Sequence, residues 1–423
     1  MQMVNRNLKS IMIGLLLVSI SFNGWAEETI TLKELVQEAL KENPQIKAAR
    51  CSWEASKRIP TKVSTLPDPT FMFGIRNVGS RYSVGSAEMS MLEFSFTQRI
   101  PFPKKLSLLG RMAEREAEIM EEEYRGTLLS VIEKLKSAFY DYFYIKKSVE
   151  SINKNIELLE KLEKTAQTRY EVGIGVQQDV WKAQLEISKL VERLEILKQM
   201  EGTTRAIINS ILNRPPSAPI GSPVDFDKTA LSFSLEELFK MAEENSPELK
   251  RYKHFKEREE INMKYSKFQY LPDFSLNFGI EERGSLDRIW VASIGIDIPL
   301  YFWGKTAGVK EAQWRVSSAE YSLQNVKEVL FAEITSAYLS ATASERLLNL
   351  YKGEIIPRAS AALEASIVSY SVGKVDFLTV VTNLITLLDY QLTYYQKLIE
   401  FEKAVARLEV LTGVQFATEV KSE

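Results

Sequence analysis

Five short patterns occur twice in this chain, in the same order and about 200 residues apart. Thr31-Leu32-Lys33-Glu34-Leu35 returns as Ser234-Leu235-Glu236-Glu237-Leu238, and Asn43-Pro44-Gln45-Ile46-Lys47 as Ser246-Pro247-Glu248-Leu249-Lys250. Leu66-Pro67-Asp68 returns as Leu271-Pro272-Asp273, Ile100-Pro101-Phe102 as Ile298-Pro299-Leu300, and Tyr170-Glu171-Val172-Gly173 as Tyr370-Ser371-Val372-Gly373. A fold must therefore be built from two like halves. The repeats span 27–214 and 234–414. The segment 215–233, with Pro215, Pro216, Pro219, Gly221 and Pro223, reads as a linker, and 415–423 as a C-terminal tail.

Each half follows one grammar. A capped amphipathic helix comes first, with Leu32, Leu35, Val36 and Leu40 at helical spacing behind a Thr31 cap. A second stretch stops at Pro67 and Pro69. Two strands are expected next, at about 70–76 and 89–100 in the first half and about 273–281 and 288–299 in the second. Phe274, Leu276, Phe278 and Ile280 alternate with Ser275, Asn277 and Gly279, so one face is apolar and the other polar. Trp290, Ala292, Ile294, Ile296 and Ile298 do the same, as do Leu92, Phe94 and Phe96. Such segments fit a soluble hairpin packed on helices, or tilted membrane strands of about ten residues. Aromatic clusters at the strand ends, Phe102 and Tyr301-Phe302-Trp303, suit an interfacial girdle and favour the membrane. Four strands close no barrel, and open edges are not tolerated in lipid, so a membrane location requires several copies.

Two long helices close each half. No proline occurs from Lys105 to Tyr170, a span of about 100 Å as one straight helix. Apolar residues from Leu128 to Tyr170 recur every 3.5 residues on average, the period of a left-handed coiled coil. Return helices are expected from about Gln178 to Leu212 and about Phe377 to Leu411, and Pro357 should kink the second outgoing helix.

Other classes of function find little support. A net charge of −2 gives no basic footprint for nucleic acid. One cysteine, Cys51, and one histidine, His254, cannot supply a His/Cys metal site. His254 lies in a charged helical run and reads as a surface residue. The Glu-rich run from Glu114 to Glu123 reads as a solvated helix face. No convergent nucleophile, base and acid is visible, so an enzyme is not expected, and no cofactor is expected. Arg6 and Lys9 before the apolar run Ile11 to Ile20, with Gly24 and Ala26 after it, read as a signal peptide, residues 1–26. Cys51 lies too far beyond Ala26 to carry a lipid anchor.

From Thr31 to Val414 the chain resembles the TolC-type outer membrane efflux proteins, most closely the metal- and drug-efflux branch. Gln98-Arg99-Ile100-Pro101-Phe102-Pro103-Lys104-Lys105, its counterpart Ile298 to Lys305, and the duplicated Tyr-x-Val-Gly pieces carry the resemblance. It implies a homotrimer pooling four strands per chain into a twelve-stranded outer-membrane barrel. Long antiparallel coiled-coil helices would form a tube in the periplasm. A periplasmic adaptor (a membrane fusion protein) and an inner-membrane pump would be its partners. Tyr170, Val172, Gly173, Tyr370, Val372 and Gly373 would form the periplasmic tip and dock the adaptor. A pore gate would involve Asp179, Asp376, Thr379 and Thr382. Where the family places acids after the second turn this chain has Thr379 and Thr382, and Asp376 is the nearest acid. Three copies of Asp376 around one axis would attract cations. A passive outer-membrane porin and a non-channel coiled-coil scaffold of the envelope are the competing readings.

Overall fold

The computed structural model describes residues 29–80, 83–85 and 87–416. The expected signal peptide lies outside them, as does most of the tail. The chain is mostly helical. A short strand β1 (Thr29–Ile30) precedes α1 (Leu32–Glu42), α2 (Pro44–Ser56) and α3 (Ile59–Ser64). Strands β2 (Thr70–Arg76) and β3 (Met91–Ile100) follow, then α4 (Pro103–Glu171) and α5 (Gln177–Ile211). After β4 (Ser222–Pro223) the order repeats with α6 (Leu235–Asn245), α7 (Pro247–Phe268), β5 (Asp273–Glu282), β6 (Ile289–Asp297) and α8 (Phe302–Leu350). A π-helical turn (Tyr351–Ile355) leads to α9 (Ile356–Ser371), and α10 (Phe377–Thr412) returns.

Local chemistry explains the helix starts. Thr31 and Ser234 each build a capping box, with Glu34 and Glu237 reaching back to the cap nitrogen. With 69 residues, α4 extends about 100 Å. Its 3.5-residue stripe is largely buried from Ile132 to Ala166, where α5 and α10 pack on it. Two apolar layers result. One, midway along, joins α1, α4, α6, α8 and α10 through Leu35, Phe139, Leu238, Ile334 and Phe401. The other joins α4, α5, α9 and α10 toward the hairpin ends.

Pro357 does not simply kink one helix. It stands at the start of α9, directly after the π turn, where Ile356 N–H bonds back to Tyr351 O. The wider turn absorbs the loss of the N–H that proline lacks. The Pro-rich segment 215–233 is likewise a strap rather than a loose linker. β4 pairs in parallel with β1. The Asn209 amide donates to Pro216 O and Ala218 O at 3.2 and 2.8 Å. Phe226 packs on Tyr140 and Phe143. Thr229 donates from both N–H and Oγ1 to the buried Glu402 carboxylate, each at 2.8 Å.

Two readings need correction. In the 114–123 run Glu116 pairs with Arg258 of α7, Glu118 pairs with Arg115 of its own helix, and Glu122 is buried, while Glu114 and Glu123 stay exposed. His254 is half-buried there, its Nδ1 3.0 Å from Glu118 Oε2. Arg115 already bridges Glu118 and Glu257 beside it, so the cluster has its positive charge from within the chain.

The four strands form one antiparallel sheet in the order β2-β3-β5-β6. Register sets Phe71 opposite Phe96, Phe96 opposite Phe278, Leu276 opposite Ile294 and Ile280 opposite Trp290. All these side chains fall on one face, because the side-chain period of a strand is two. The other face carries Arg76, Glu93, Ser95, Asn277 and Ser293, with Arg76 paired to Glu93. The apolar face is bare: Phe71 is 66% exposed, and Trp290 and Ile294 are each 71% exposed. The outer edges of β2 and β6 have no partner strand among the described residues. A soluble hairpin would bury that face on helices, which this chain does not do. No helix among the described residues is long and apolar enough to cross a membrane.

Candidate functional site

Two helical hairpins end side by side, about 100 Å from the sheet. Helix α4 stops because Gly173 turns left-handed at φ 75°, and α9 stops at Gly373 with φ 76°. Gly173 N–H bonds Tyr170 O and Gly373 N–H bonds Tyr370 O, each at 3.0 Å. The two turns share a shape and differ in their side chains.

The second turn is capped by Asp376. Its Oδ1 accepts from Thr379 N–H at 2.9 Å and from the Thr379 hydroxyl. The Thr379 bonds hold the Asp376 carboxyl below the usual aspartate range. Asp376 stays charged and exposed, but its oxygens already serve the helix end. In the first turn Val176 occupies the matching place and offers no cap. Thr382 lies exposed one turn beyond Thr379.

A latch joins the hairpins. Arg169 Nη1 donates to Tyr370 O and Ser371 O, both at 3.2 Å, and the guanidinium lies 5.0 Å from the Tyr370 ring centroid. The Tyr370 hydroxyl points to Asp179 Oδ2 at a long 3.4 Å. Burial pushes the Asp179 carboxyl up, and nearby Asp376 adds to it. Burial also pushes the Tyr370 hydroxyl up. Tyr370 is only 4% exposed and packs edge-on against Phe377. Tyr370 and Asp179 therefore meet inside the tip.

Tyr170, Val172 and Val372 face outward, with Val172 and Val372 each 64% exposed. Ile174, Val176, Trp181 and Leu378, not singled out by the sequence reading, extend this apolar rim. Arg169 was also missed. The available signal was a break in the repeat: Arg169 precedes Tyr170, while Ser369 precedes Tyr370.

Residues 238–414 match the family model of the outer membrane efflux proteins. No curated protein sequence matches the chain. Among solved structures it is similar to the outer membrane protein VceC of Vibrio cholerae, at 16% identity and TM-score 0.76, over 91% of this chain and 97% of that one. It is similar to the CmeC outer membrane channel of Campylobacter jejuni, at 13% identity and TM-score 0.78, over 92% and 86%. It is also similar to the MtrE outer membrane channel of Neisseria gonorrhoeae, at 14% identity and TM-score 0.76, over 92% and 91%. At these identities the likeness concerns the fold.

Proposed function

We propose that this chain, whose residues 238–414 match the family model of the outer membrane efflux proteins, is the outer-membrane exit duct of a tripartite efflux system. Three copies pool their strands into a twelve-stranded barrel in the outer membrane. Their helices continue inward as a periplasmic tube. The tips of α4–α5 and α9–α10 meet a periplasmic adaptor, which an inner-membrane pump feeds with small molecules or metal ions. The duct performs no chemistry.

The sheet carries this reading. A four-stranded sheet with a bare apolar face, a polar reverse face and two open edges supports a share in a lipid-facing barrel. Its direct continuation into helices of about 100 Å supports an envelope-crossing duct over a simple porin, which has no use for them. The exposed apolar rim at the far end suits a protein partner. The Arg169–Tyr370–Asp179 latch ties the two hairpins of one copy together and would hold the tip narrow.

The test is the mass of protein extracted from outer membranes in mild detergent, by light scattering with detergent subtracted, together with conductance in planar bilayers. A trimer that conducts supports the duct. A monomer without conductance leaves the strands closing nothing, and the scaffold reading replaces it.

A further inference from the structure

One junction inside the chain is complete, and its duplicate is left open. At the complete junction the β3–α4 turn of the first half meets the α7–β5 turn of the second. Lys105 Nζ, on a residue 6% exposed, donates to Leu271 O at 2.9 Å and to Asp273 Oδ1 at 2.8 Å. Phe102 N–H donates to the same Asp273 Oδ1 at 2.8 Å. The duplication provides the same parts again, as Lys305 after β6 and as Leu66 and Asp68 before β2. These lie on the opposite outer edges of the sheet. Neither the Lys305 ammonium nor the Asp68 carboxylate has an ion pair or hydrogen bond among the described residues. Ile298, Leu300, Tyr301 and Trp303 are 65–72% exposed, whereas Ile100 and Phe102 at the complete junction are half-buried.

We propose that Lys305 of one copy clamps Asp68 and the Leu66 carbonyl of a second copy, and that β6 pairs with the second copy's β2 in the register that sets Ile294 opposite Phe73. The occupant of each open edge is thus another copy of this chain, an inference that rests on the oligomeric-barrel reading above. The register comes from the in-chain pairing. Aligning Ile100 with Ile298 and Asp68 with Asp273 makes Ile294 the counterpart of Phe96, and Phe73 the counterpart of Phe278. Phe96 and Phe278 are direct partners between β3 and β5.

The same register sets Ile296 opposite Phe71 and Ala292 opposite Ile75, so the apolar faces of two copies run on as one. A slip of one residue would set Phe71 and Phe73 opposite Gly295 and Ser293 and turn one face over. Charge agrees too, since each edge brings one half of an ion pair. The sheet then has no free edge, as lipid requires.

Disulfide pairs in the full-length protein test it, in a Cys51→Ser background that removes the one native thiol. Ile294→Cys with Phe73→Cys should give cross-linked dimers and trimers on non-reducing gels, because directly opposed residues bring Cα atoms within disulfide reach. Ile294→Cys with Phe71→Cys, or with Ile75→Cys, should give little. Lys305→Glu alone and Asp68→Lys alone should each lower the temperature at which the trimer dissociates in SDS, and the two together should restore much of that loss. A trimer that cross-links best in a slipped register, or charge reversals that neither weaken nor rescue, overturns the junction and leaves the duct intact. Absence of any trimer overturns both.

Discussion

Glu402 carries a carboxylate into the middle helical layer, where Thr229 N–H, Thr229 Oγ1 and the Tyr140 hydroxyl all donate to it. Burial is the largest influence and raises its proton affinity above the ordinary value of 4.5 despite those donors. The folded chain then holds this proton more tightly than the unfolded one. The group's stabilising contribution is complete below the unfolded value and is lost as pH rises through the folded one. Melting followed by circular dichroism should show Tm falling by a few degrees as pH climbs from about 4.5 toward neutrality, with Glu402→Gln flattening that part of the profile. Arg169 acts at the tip by geometry. Its planar fork spans two carbonyls and an aromatic face, which a lysine cannot do at once. Arg169→Ala should cost about 1 kcal/mol of tip cohesion and raise single-channel conductance in planar bilayers, with Arg169→Lys in between. An unchanged conductance would separate the latch from gating. Neither residue was legible in the sequence, since each acts through partners about 170 to 260 positions away. Gly173 and Gly373 were legible because a left-handed turn has few chemical solutions.

At the scale of the element, period told strand from helix. Alternation of two located all four strands, and a step of 3.5 marked α4 as a long coiled-coil helix. Composition misled where it stood in for packing. The segment 215–233 has the prolines of a linker, yet Phe226 and Thr229 pin it to the helices, and no local pattern announces a contact made across the fold. The Glu-rich run was misread for the same reason: its partners Arg258 and His254 belong to the other half of the duplication. The sheet yields a two-sided prediction. Ile294 stands on the bare apolar face and Ser293 on the polar one. Ile294→Arg places a charge toward lipid, at a cost of about 2–4 kcal/mol near the bilayer centre. It should deplete the protein from the outer-membrane fraction, while Ser293→Arg should assemble at normal levels with altered conductance. Equal tolerance at both positions would mean that the apolar face does not meet lipid.

At the scale of the whole molecule, the duplication and the family resemblance were both readable, because they rest on ordered motifs that survive divergence. The number of copies is not written in one chain; four strands ask only for more than one copy, and three is what the resemblance implies. Orientation is a further consequence of length. The loop from Arg283 to Arg288 closes β5 and β6 at the end of the sheet away from the helices, and the turn from Val172 to Val176 closes α4 and α5 at the opposite pole. About 100 Å of helix separates the sheet from that turn. In the proposed duct the first loop faces the medium and the second lies deep in the periplasm. Both are exposed and short, so each should accept a protease site without disturbing either core. A site inserted between Ser285 and Leu286 should be cut when protease is added to intact cells. One inserted between Ile174 and Gly175 should be cut only after the outer membrane is permeabilised. Blotting for the fragments reads both at once, since the two cuts divide the chain at different lengths. Cleavage at the helical turn in intact cells would invert the molecule, and cleavage at neither site until permeabilisation would place the sheet away from the cell surface.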